Sequence, residues 1–369
     1  MRDDKTLVRL AQAVGPETLK RILERLVEVA RQRRVVRGRK LRVDTTVVET
    51  NIHHPTDSTL LQDGVRVITR TLYKIRRVVG KLRFRDRTRS VGRRVFEITL
   101  ASRKPGGRAQ AEGKKLYGRL MGTGRAVLRQ AQRALASAQR RARKLKPLLR
   151  QRVQELSWQV RAMRRLTQRV LEETRARVLK GDTHHPHKVL SVFETHTEAI
   201  HKGKKVKPTE FGKLVKVQEA EHQFVTDYQV CARRVPDGAL WEASLERHQQ
   251  LFGRPPYWAT ADPAFASAAN EARATTRGVR RVALPRRGRL SAALRAYQQQ
   301  RWFRRVTHWR TGCEGRISAL KRRHGLSRCR YHGVQGMERW VGLGVIANNL
   351  LALARAAPPG KERTAVRGE

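Results

Sequence analysis

The chain has 369 residues, of which 82 are Lys or Arg and 31 are Asp or Glu, so its formal net charge at neutral pH is +51. A charge of this size repels itself unless a polyanion neutralises it, and the backbone of a nucleic acid is the leading partner, well ahead of an anionic membrane. Three cysteines are too few for a disulfide framework, and the longest apolar run, residues 341–353, is too short to span a bilayer, which disfavours a secreted or membrane protein.

The first third of the chain predicts helices around one strand. Residues 5–35 carry apolar side chains near helical spacing, with a break at Gly15-Pro16, and this predicts two short helices. Residues 41–52 are β-branched and alternate, which predicts a strand with Leu41 and Val43 on one face and Arg42 and Asp44 on the other. Residues 54–58 have turn chemistry and offer an N-cap for a following helix.

Residues 108–180 are the most basic segment and predict a helical hairpin that bends near Pro147. Its apolar residues have heptad-like spacing: Val153, Leu156, Val160, Met163 and Val170. The exposed arginines either follow a DNA backbone or form a solvated face that keeps the hairpin soluble. The large net charge favours DNA contact.

The remainder of the chain predicts alternating strands and helices. Strands are expected at 189–200, 214–220, 223–232, 257–262 and 280–284, and helices at about 237–252, 266–277, 302–324 and 335–356. This order predicts an α/β fold, a partly parallel mixed sheet with helices on its faces.

Three acidic residues stand where their type needs an explanation in so basic a chain. Asp44 lies inside a predicted strand, where Asp is disfavoured, and it either pairs with an arginine or holds a cation. Asp262 ends a predicted strand, where α/β sheets commonly bind ligands, although it also suits the N-cap of the next helix. Glu314 shares a helical stripe with Arg310 and Lys321, and either forms salt bridges there or faces a metal.

Together these acids suit phosphodiester chemistry. Two Mg²⁺ ions about 4 Å apart activate a nucleophile and stabilise the leaving oxygen, and Mg²⁺ takes a few carboxylates plus water and substrate oxygens. Asp227 is a rival for the second acid, but it is expected within a strand and ranks behind Asp262.

The residues around these acids resemble bacterial insertion-sequence DDE transposases, particularly the ISNCY type, over about residues 40–355. The resemblance rests on four stretches: Leu41-Arg-Val-Asp-Thr-Thr-Val-Val-Glu-Thr-Asn-Ile-His-His-Pro-Thr-Asp-Ser, Leu60-Leu-Gln-Asp-Gly-Val, Lys207-Pro-Thr-Glu-Phe-Gly-Lys, and Arg310-Thr-Gly-Cys-Glu-Gly-Arg-Ile-Ser-Ala-Leu-Lys-Arg-Arg-His-Gly-Leu. It implies an RNase H-like mixed sheet flanked by helices, with a basic all-helical insertion. It also implies that Asp44, Asp262 and Glu314 are the catalytic ligands of two Mg²⁺ or Mn²⁺ ions.

Relatives often carry a Tyr, Arg, Glu, Lys pattern around the glutamate. Arg310, Glu314 and Lys321 match its last three positions, whereas Thr307 stands at the Tyr position, and Asp262-Pro-Ala-Phe replaces the usual Asp-Arg-Gly-Phe or Asp-Ala-Gly-Phe. The expected DNA contacts are Arg310, Lys321, Arg316, Arg322 and Arg323.

The resemblance also implies a domain plan. Residues 1–39 are expected to be a helical remnant of a longer DNA-recognition region in a truncated copy. Residues 40–107 and 181–356 are expected to form the two parts of the catalytic domain, and residues 108–180 to form the helical insertion between them. Residues 357–369 are expected to be a disordered tail.

The function implied is cleavage at the ends of an insertion sequence and transfer of the freed strand to target DNA. Such an enzyme is expected in the bacterial cytoplasm at the nucleoid, as a homo-oligomer on its terminal repeats and target DNA, with no membrane partner. Two alternatives remain open: a non-catalytic DNA-binding protein whose acids only form ion pairs, and an RNase H-like nuclease or resolvase.

Overall fold

A mixed sheet organises the computed structural model, which describes residues 9, 13–103, 105–182, 188–201 and 208–356. Its strands are β1 (Lys40–Glu49), β2 (Glu198–His201), β3 (Thr209–Glu219), β4 (Val225–Val230), β5 (Trp258–Ala261) and β6 (Arg281–Ala283). β1 pairs antiparallel with β3 and parallel with β5, and β5 pairs parallel with β6. β2 and then β4 line the other edge of β3, both antiparallel.

The described helices, in chain order, are α1 (Pro16–Gln32), α2 (Asp57–Val79), α3 (Thr88–Ala101), α4 (Gly107–Ala142), α5 (Pro147–Thr174), α6 (Trp241–Phe252), α7 (Ala268–Thr276), α8 (Ala292–Gln299), α9 (Arg301–Arg323) and α10 (Gly333–Ala356). By their contacts the described residues form two units. The first, here called the sheet unit, takes residues up to 51 and from 196 onwards, and the second, the helical unit, takes residues 52–195.

The sheet unit buries both faces of its central strand. Leu41 and Val43 of β1 pack with Trp241 of α6 on one face, whereas Val48 packs with Met337 and other apolar residues of α10 on the opposite face. Asp44 lies on the same face as Val48, because residues an even number apart on a strand point the same way. Helices therefore flank the sheet on both faces, as the alternation of elements predicted.

The helical unit packs α2, α3, α4 and α5 around one apolar core. α2 begins with a capping box: the Thr56 hydroxyl accepts a hydrogen bond from Thr59 N, and Thr59 Oγ1 accepts one from Thr56 N. Residues 52–107 thus pack with the hairpin, whereas the expected domain plan grouped residues 40–107 with the sheet. The physical reason is that the apolar stripe of α2 meets α4 and α5 in that core.

Most expected elements are confirmed. The strand at 41–52, the hairpin with its bend before Pro147, and the helices at 237–252, 266–277, 302–324 and 335–356 are present within a few residues of the expected bounds, the first of these opening as a 3₁₀ turn at Asp237–Leu240. The strand expected at 189–200 is wrong over most of its length, since only Glu198–His201 is β structure. α3 and α8 were not predicted.

Two expectations fall wholly or mainly on residues outside those described: the first N-terminal helix and the tail 357–369. Among the described helices, none is both long and apolar enough to cross a membrane.

Candidate active site

Asp44 lies in the middle of the sheet, on β1. Its side chain is 13% exposed, and its Oδ1 accepts a hydrogen bond from Thr45 N at 2.7 Å. The pairing of β1 with β5 sets Val43 opposite Ala261, so Asp44, in the middle of β1, and Asp262, directly after β5, lie side by side at the edge where β5 ends. This is the edge at which α/β sheets commonly bind ligands.

Asp262 does two things at the end of β5. Its Oδ1 accepts a hydrogen bond from Ala264 N at 3.0 Å and caps the 3₁₀ turn Pro263–Phe265, as the alternative for this residue predicted. Its Oδ2 lies 3.7 Å from Nη1 of Arg310. One oxygen therefore fixes the carboxylate while the other faces α9.

Arg310 of α9 brings the three candidate acids together. Its Nη1 lies 3.7 Å from Asp44 Oδ2 and 3.7 Å from Asp262 Oδ2, and its Nη2 donates a hydrogen bond to Glu314 Oε1 at 3.1 Å. The acids come from positions 44, 262 and 314, yet all contact one guanidinium.

The exposed fraction of the side chains increases from Arg310 to Glu314. The side chain of Arg310 is 8% exposed and that of Asp44 is 13%, whereas Asp262 is 36% and Glu314 is 69% exposed. Glu314 therefore lies at the open side of the site and the guanidinium at its closed side.

The carboxylates suit a hard divalent cation by their chemistry, because Mg²⁺ and Mn²⁺ prefer oxygen ligands. The cation they surround in this structure is the guanidinium. Among the described residues, no three His, Cys, Asp or Glu side chains are arranged closely enough to hold one metal ion. The contacts expected of a purely structural role are thus all present: ion pairs for Asp44 and Glu314, and a cap for Asp262.

A buried ion pair between β1 and β3 also contacts α9. Arg42 Nη2 lies 2.6 Å from Glu219 Oε2, with both side chains almost fully buried, and Arg42 Nη1 donates to the carbonyl of Trp309 at 2.7 Å. Gly312 permits this approach, because a Cβ there would lie 2.6 Å from Arg42 Nη1. Cys313 completes the cluster, with its Sγ 3.0 Å from Glu219 Oε1.

The cluster explains how Arg310 and Glu314 reach the sheet. Arg42 lies two residues before Asp44 on the same face of β1, and its bond to Trp309 holds the turn of α9 that carries Arg310. Burial raises the pKa of Glu219 above its ordinary value, although Arg42 opposes the shift. Burial, followed by the nearby Glu219, raises the pKa of the Cys313 thiol well above its usual range, so the thiol stays protonated and donates.

Arg42, Glu219 and Gly312 are functional-site residues that the sequence alone did not predict. A signal was present for Glu219, since it is another acid in a strand of a chain that has few acids, the same observation that drew attention to Asp44. The cross-strand pairing of Arg42 with Glu219 appears only once the register is known.

The expected DNA contacts lie on two sides of α9. Lys321 shares the side of Arg310 and Glu314, and its Nζ is 4.0 Å from Glu210 Oε1. Arg316 points the other way, where it donates to Asn348 and Gln223, while Arg322 and Arg323 are exposed.

Asp227, the rival acid, lies in a separate ion-pair cluster. Its carboxylate contacts Lys20 at 2.9 Å and Lys216 at 3.1 Å. Burial raises the pKa of Asp227, but Lys216 and Lys20 outweigh it and hold the pKa below its ordinary value. This carboxylate is therefore neutralised by lysines of α1 and β3.

A family model described as a transposase DDE domain matches residues 268–354. The match supports a DDE transposase. It covers α7 to α10, and so includes Arg310, Glu314 and Lys321 but neither aspartate. No curated protein and no solved structure is significantly similar to this chain.

Proposed function

We propose that this chain is a DNA transposase of the bacterial insertion-sequence type, of the ISNCY group, with an RNase H-like catalytic fold. The fold is compatible with the observed mixed sheet, in which an antiparallel part and a parallel part meet at β1. The family match over α7 to α10 supports a DDE transposase independently of the sheet.

One observation carries the proposal: two aspartates and a glutamate, remote in sequence, contact the same guanidinium where β5 ends beside β1. Asp44, Asp262 and Glu314 would hold two Mg²⁺ or Mn²⁺ ions. When bound, such ions supply an activated nucleophile and stabilise the leaving oxygen.

The remaining residues of the site orient and bind. Arg42, paired with Glu219 of β3, donates to the Trp309 carbonyl and so holds α9 near β1, which positions Glu314 relative to Asp44. Lys321 and Arg310 lie on the side of α9 that faces the scissile phosphate in this proposal, and exposed Arg322 and Arg323 extend the positive surface. The DNA partners would be the terminal repeats of the element and a target duplex, bound by a homo-oligomer.

The test is metal-dependent nicking of a supercoiled plasmid, followed by strand transfer with labelled element ends. Glu314→Gln is expected to keep DNA binding and to lose nicking in Mg²⁺ and in Mn²⁺. Glu155→Gln is the matched control, because Glu155 is also an exposed helical glutamate with one local arginine partner, Arg152 at 2.8 Å. Nicking by Glu314→Gln at the wild-type rate would remove Glu314 from the site.

A second function, non-catalytic DNA binding, is favoured by the ion pairs themselves. If Asp44, Asp262 and Glu314 only neutralise Arg310, their amide variants should lower stability, and the wild type should show no metal-dependent nicking. An RNase H-like nuclease or resolvase would nick but leave its product unjoined, so the strand-transfer step separates it from a transposase.

A further inference from the structure

We infer that Arg310 is the resident cation of the three carboxylates and competes with divalent ions for them. In this inference, which rests on the proposed function, a metal ion takes its place among the carboxylates only when the guanidinium withdraws. Arg310 is then a positioning residue that sets the metal affinity of the DNA-free protein.

The geometry supports competition because the guanidinium already contacts every acid of the site. Nη1 faces both aspartates at 3.7 Å, and Nη2 binds Glu314 at 3.1 Å. A dication held by oxygens of these three side chains would have to approach Nη1 closely. Two positive groups a few ångströms apart repel strongly in a partly buried site, so joint occupancy is disfavoured.

The guanidinium is also poorly satisfied where it lies. Nη1 and Nε are buried and have no hydrogen-bond partner, so the pull from the two aspartates is electrostatic and acts over a distance longer than a hydrogen bond. Its one hydrogen bond to an acid is to Glu314, the most exposed of the three. Buried donors without partners are costly, so withdrawal towards phosphate oxygens, which suit a guanidinium, relieves that cost.

The charges of the site predict how Arg310 affects the affinity for a metal ion. With Arg310 in place, three carboxylates share one positive charge, and its removal leaves three negative charges for a metal ion. The nearest lysine on the same side of α9, Lys321, lies 4.0 Å from a different acid, Glu210. Loss of the arginine charge should therefore strengthen metal binding, whereas loss of a merely structural arginine should not.

The experiment is a titration of Mn²⁺ into the DNA-free full chain, with free Mn²⁺ measured by electron paramagnetic resonance. Arg310→Met is expected to bind Mn²⁺ about tenfold or more tightly than the wild type, since a neighbouring charge commonly alters the affinity of a carboxylate for a cation by that order. Arg310→Lys keeps the charge and is expected to remain within about threefold of the wild type. Arg304→Met removes an exposed charge from α9 six residues before Arg310, off the stripe that carries Arg310 and Glu314, and is expected to change nothing.

The outcomes separate this inference from the proposed function. Mn²⁺ binding by the wild type with no gain in Arg310→Met overturns the inference and leaves the proposed function intact. Absence of Mn²⁺ binding in the wild type and in Arg310→Met overturns both. Circular dichroism checks that each variant is folded, and if Arg310→Met is not, Arg310→Gln carries the same expectation and the same refuting result.

Discussion

Replacing Glu219 with Gln tests whether the buried pair with Arg42 holds α9 on the sheet. The substitution keeps the shape of the side chain and an oxygen for the Cys313 thiol, but it removes the charge 2.6 Å from Arg42 Nη2. Arg42 is 2% exposed, so its charge stays out of water without a charged partner. Breaking one side of such a pair costs about 3–5 kcal/mol.

A double variant shows whether that cost comes from the orphaned charge. Replacing both residues, as Arg42→Met with Glu219→Leu, removes both charges and keeps apolar volume, and such replacements are often nearly neutral or stabilising. We therefore expect the double variant to be more stable than Glu219→Gln alone, although it too loses the bond from Arg42 to the Trp309 carbonyl.

Urea unfolding followed by tryptophan fluorescence measures both effects, and Trp309, whose ring lies 4.9 Å from the Arg42 guanidinium, is one of the six tryptophans that contribute to the signal. A loss of less than about 1 kcal/mol in Glu219→Gln, well below the range for a broken buried pair, would refute the reasoning. So would a double variant that is less stable than the single one.

Three further predictions follow from other contacts. Burial lowers the pKa of His248 to about 4, so the folded chain excludes a proton that the unfolded chain binds near pH 6.5. The free energy of unfolding should therefore fall by about 2 kcal/mol as the pH falls from 7 to 5. In His248→Gln, the free energies of unfolding at the two pH values should differ by less. Gly64→Ala should destabilise the helical unit by about 1–3 kcal/mol in thermal unfolding, because a Cβ at this position would lie 2.3 Å from Thr167 Oγ1. Gly122→Ala is the control and should not destabilise it, because no atom lies within 4 Å of a Cβ placed there. Glu314→Gln should lose metal-dependent plasmid nicking while its DNA affinity in a gel-shift titration stays within about twofold of wild type, since one exposed carboxylate contributes little to phosphate binding.

The sequence was informative wherever a local pattern decides the structure. The heptad-like seam of the hairpin lies in the helical core, with Val153 and Val160 almost fully buried. The strand prediction is wrong over residues 189–197. The β-branched residues there are typical of a strand, but side chains, not a neighbouring strand, accept the hydrogen bonds of several of its backbone N–H groups. Glu173 accepts from Val189 N, and Ser191 Oγ accepts from Phe193 N and Glu194 N, so no strand partner is needed.

A hydrogen bond from a side chain to the backbone also explains why Asn349 lies within the apolar run at 341–353. Asn349 accepts a hydrogen bond from Val225 N at 3.1 Å and donates one to Val225 O at 2.7 Å, so its amide pairs with the backbone of β4. Hydropathy identifies α10 as a buried helix, but only the strand order reveals why an asparagine belongs there.

For the site, unusual residue positions and the family resemblance together selected three acids that meet at one arginine. These sequence features did not predict that Arg310 is the cation between those acids. They also did not predict the ion pair of Arg42 and Glu219. Both depend on long-range geometry: the first on where α9 crosses the sheet, and the second on the register of β1 with β3.

The most direct test of the central claim is the anomalous diffraction of Mn²⁺ in crystals of the wild-type chain. The account predicts Mn²⁺ peaks within bonding distance of carboxylate oxygens of Asp44, Asp262 and Glu314, with the Arg310 guanidinium moved away from Asp44. Crystals that bind Mn²⁺ elsewhere, or that keep Arg310 between the three carboxylates at saturating Mn²⁺, would contradict it.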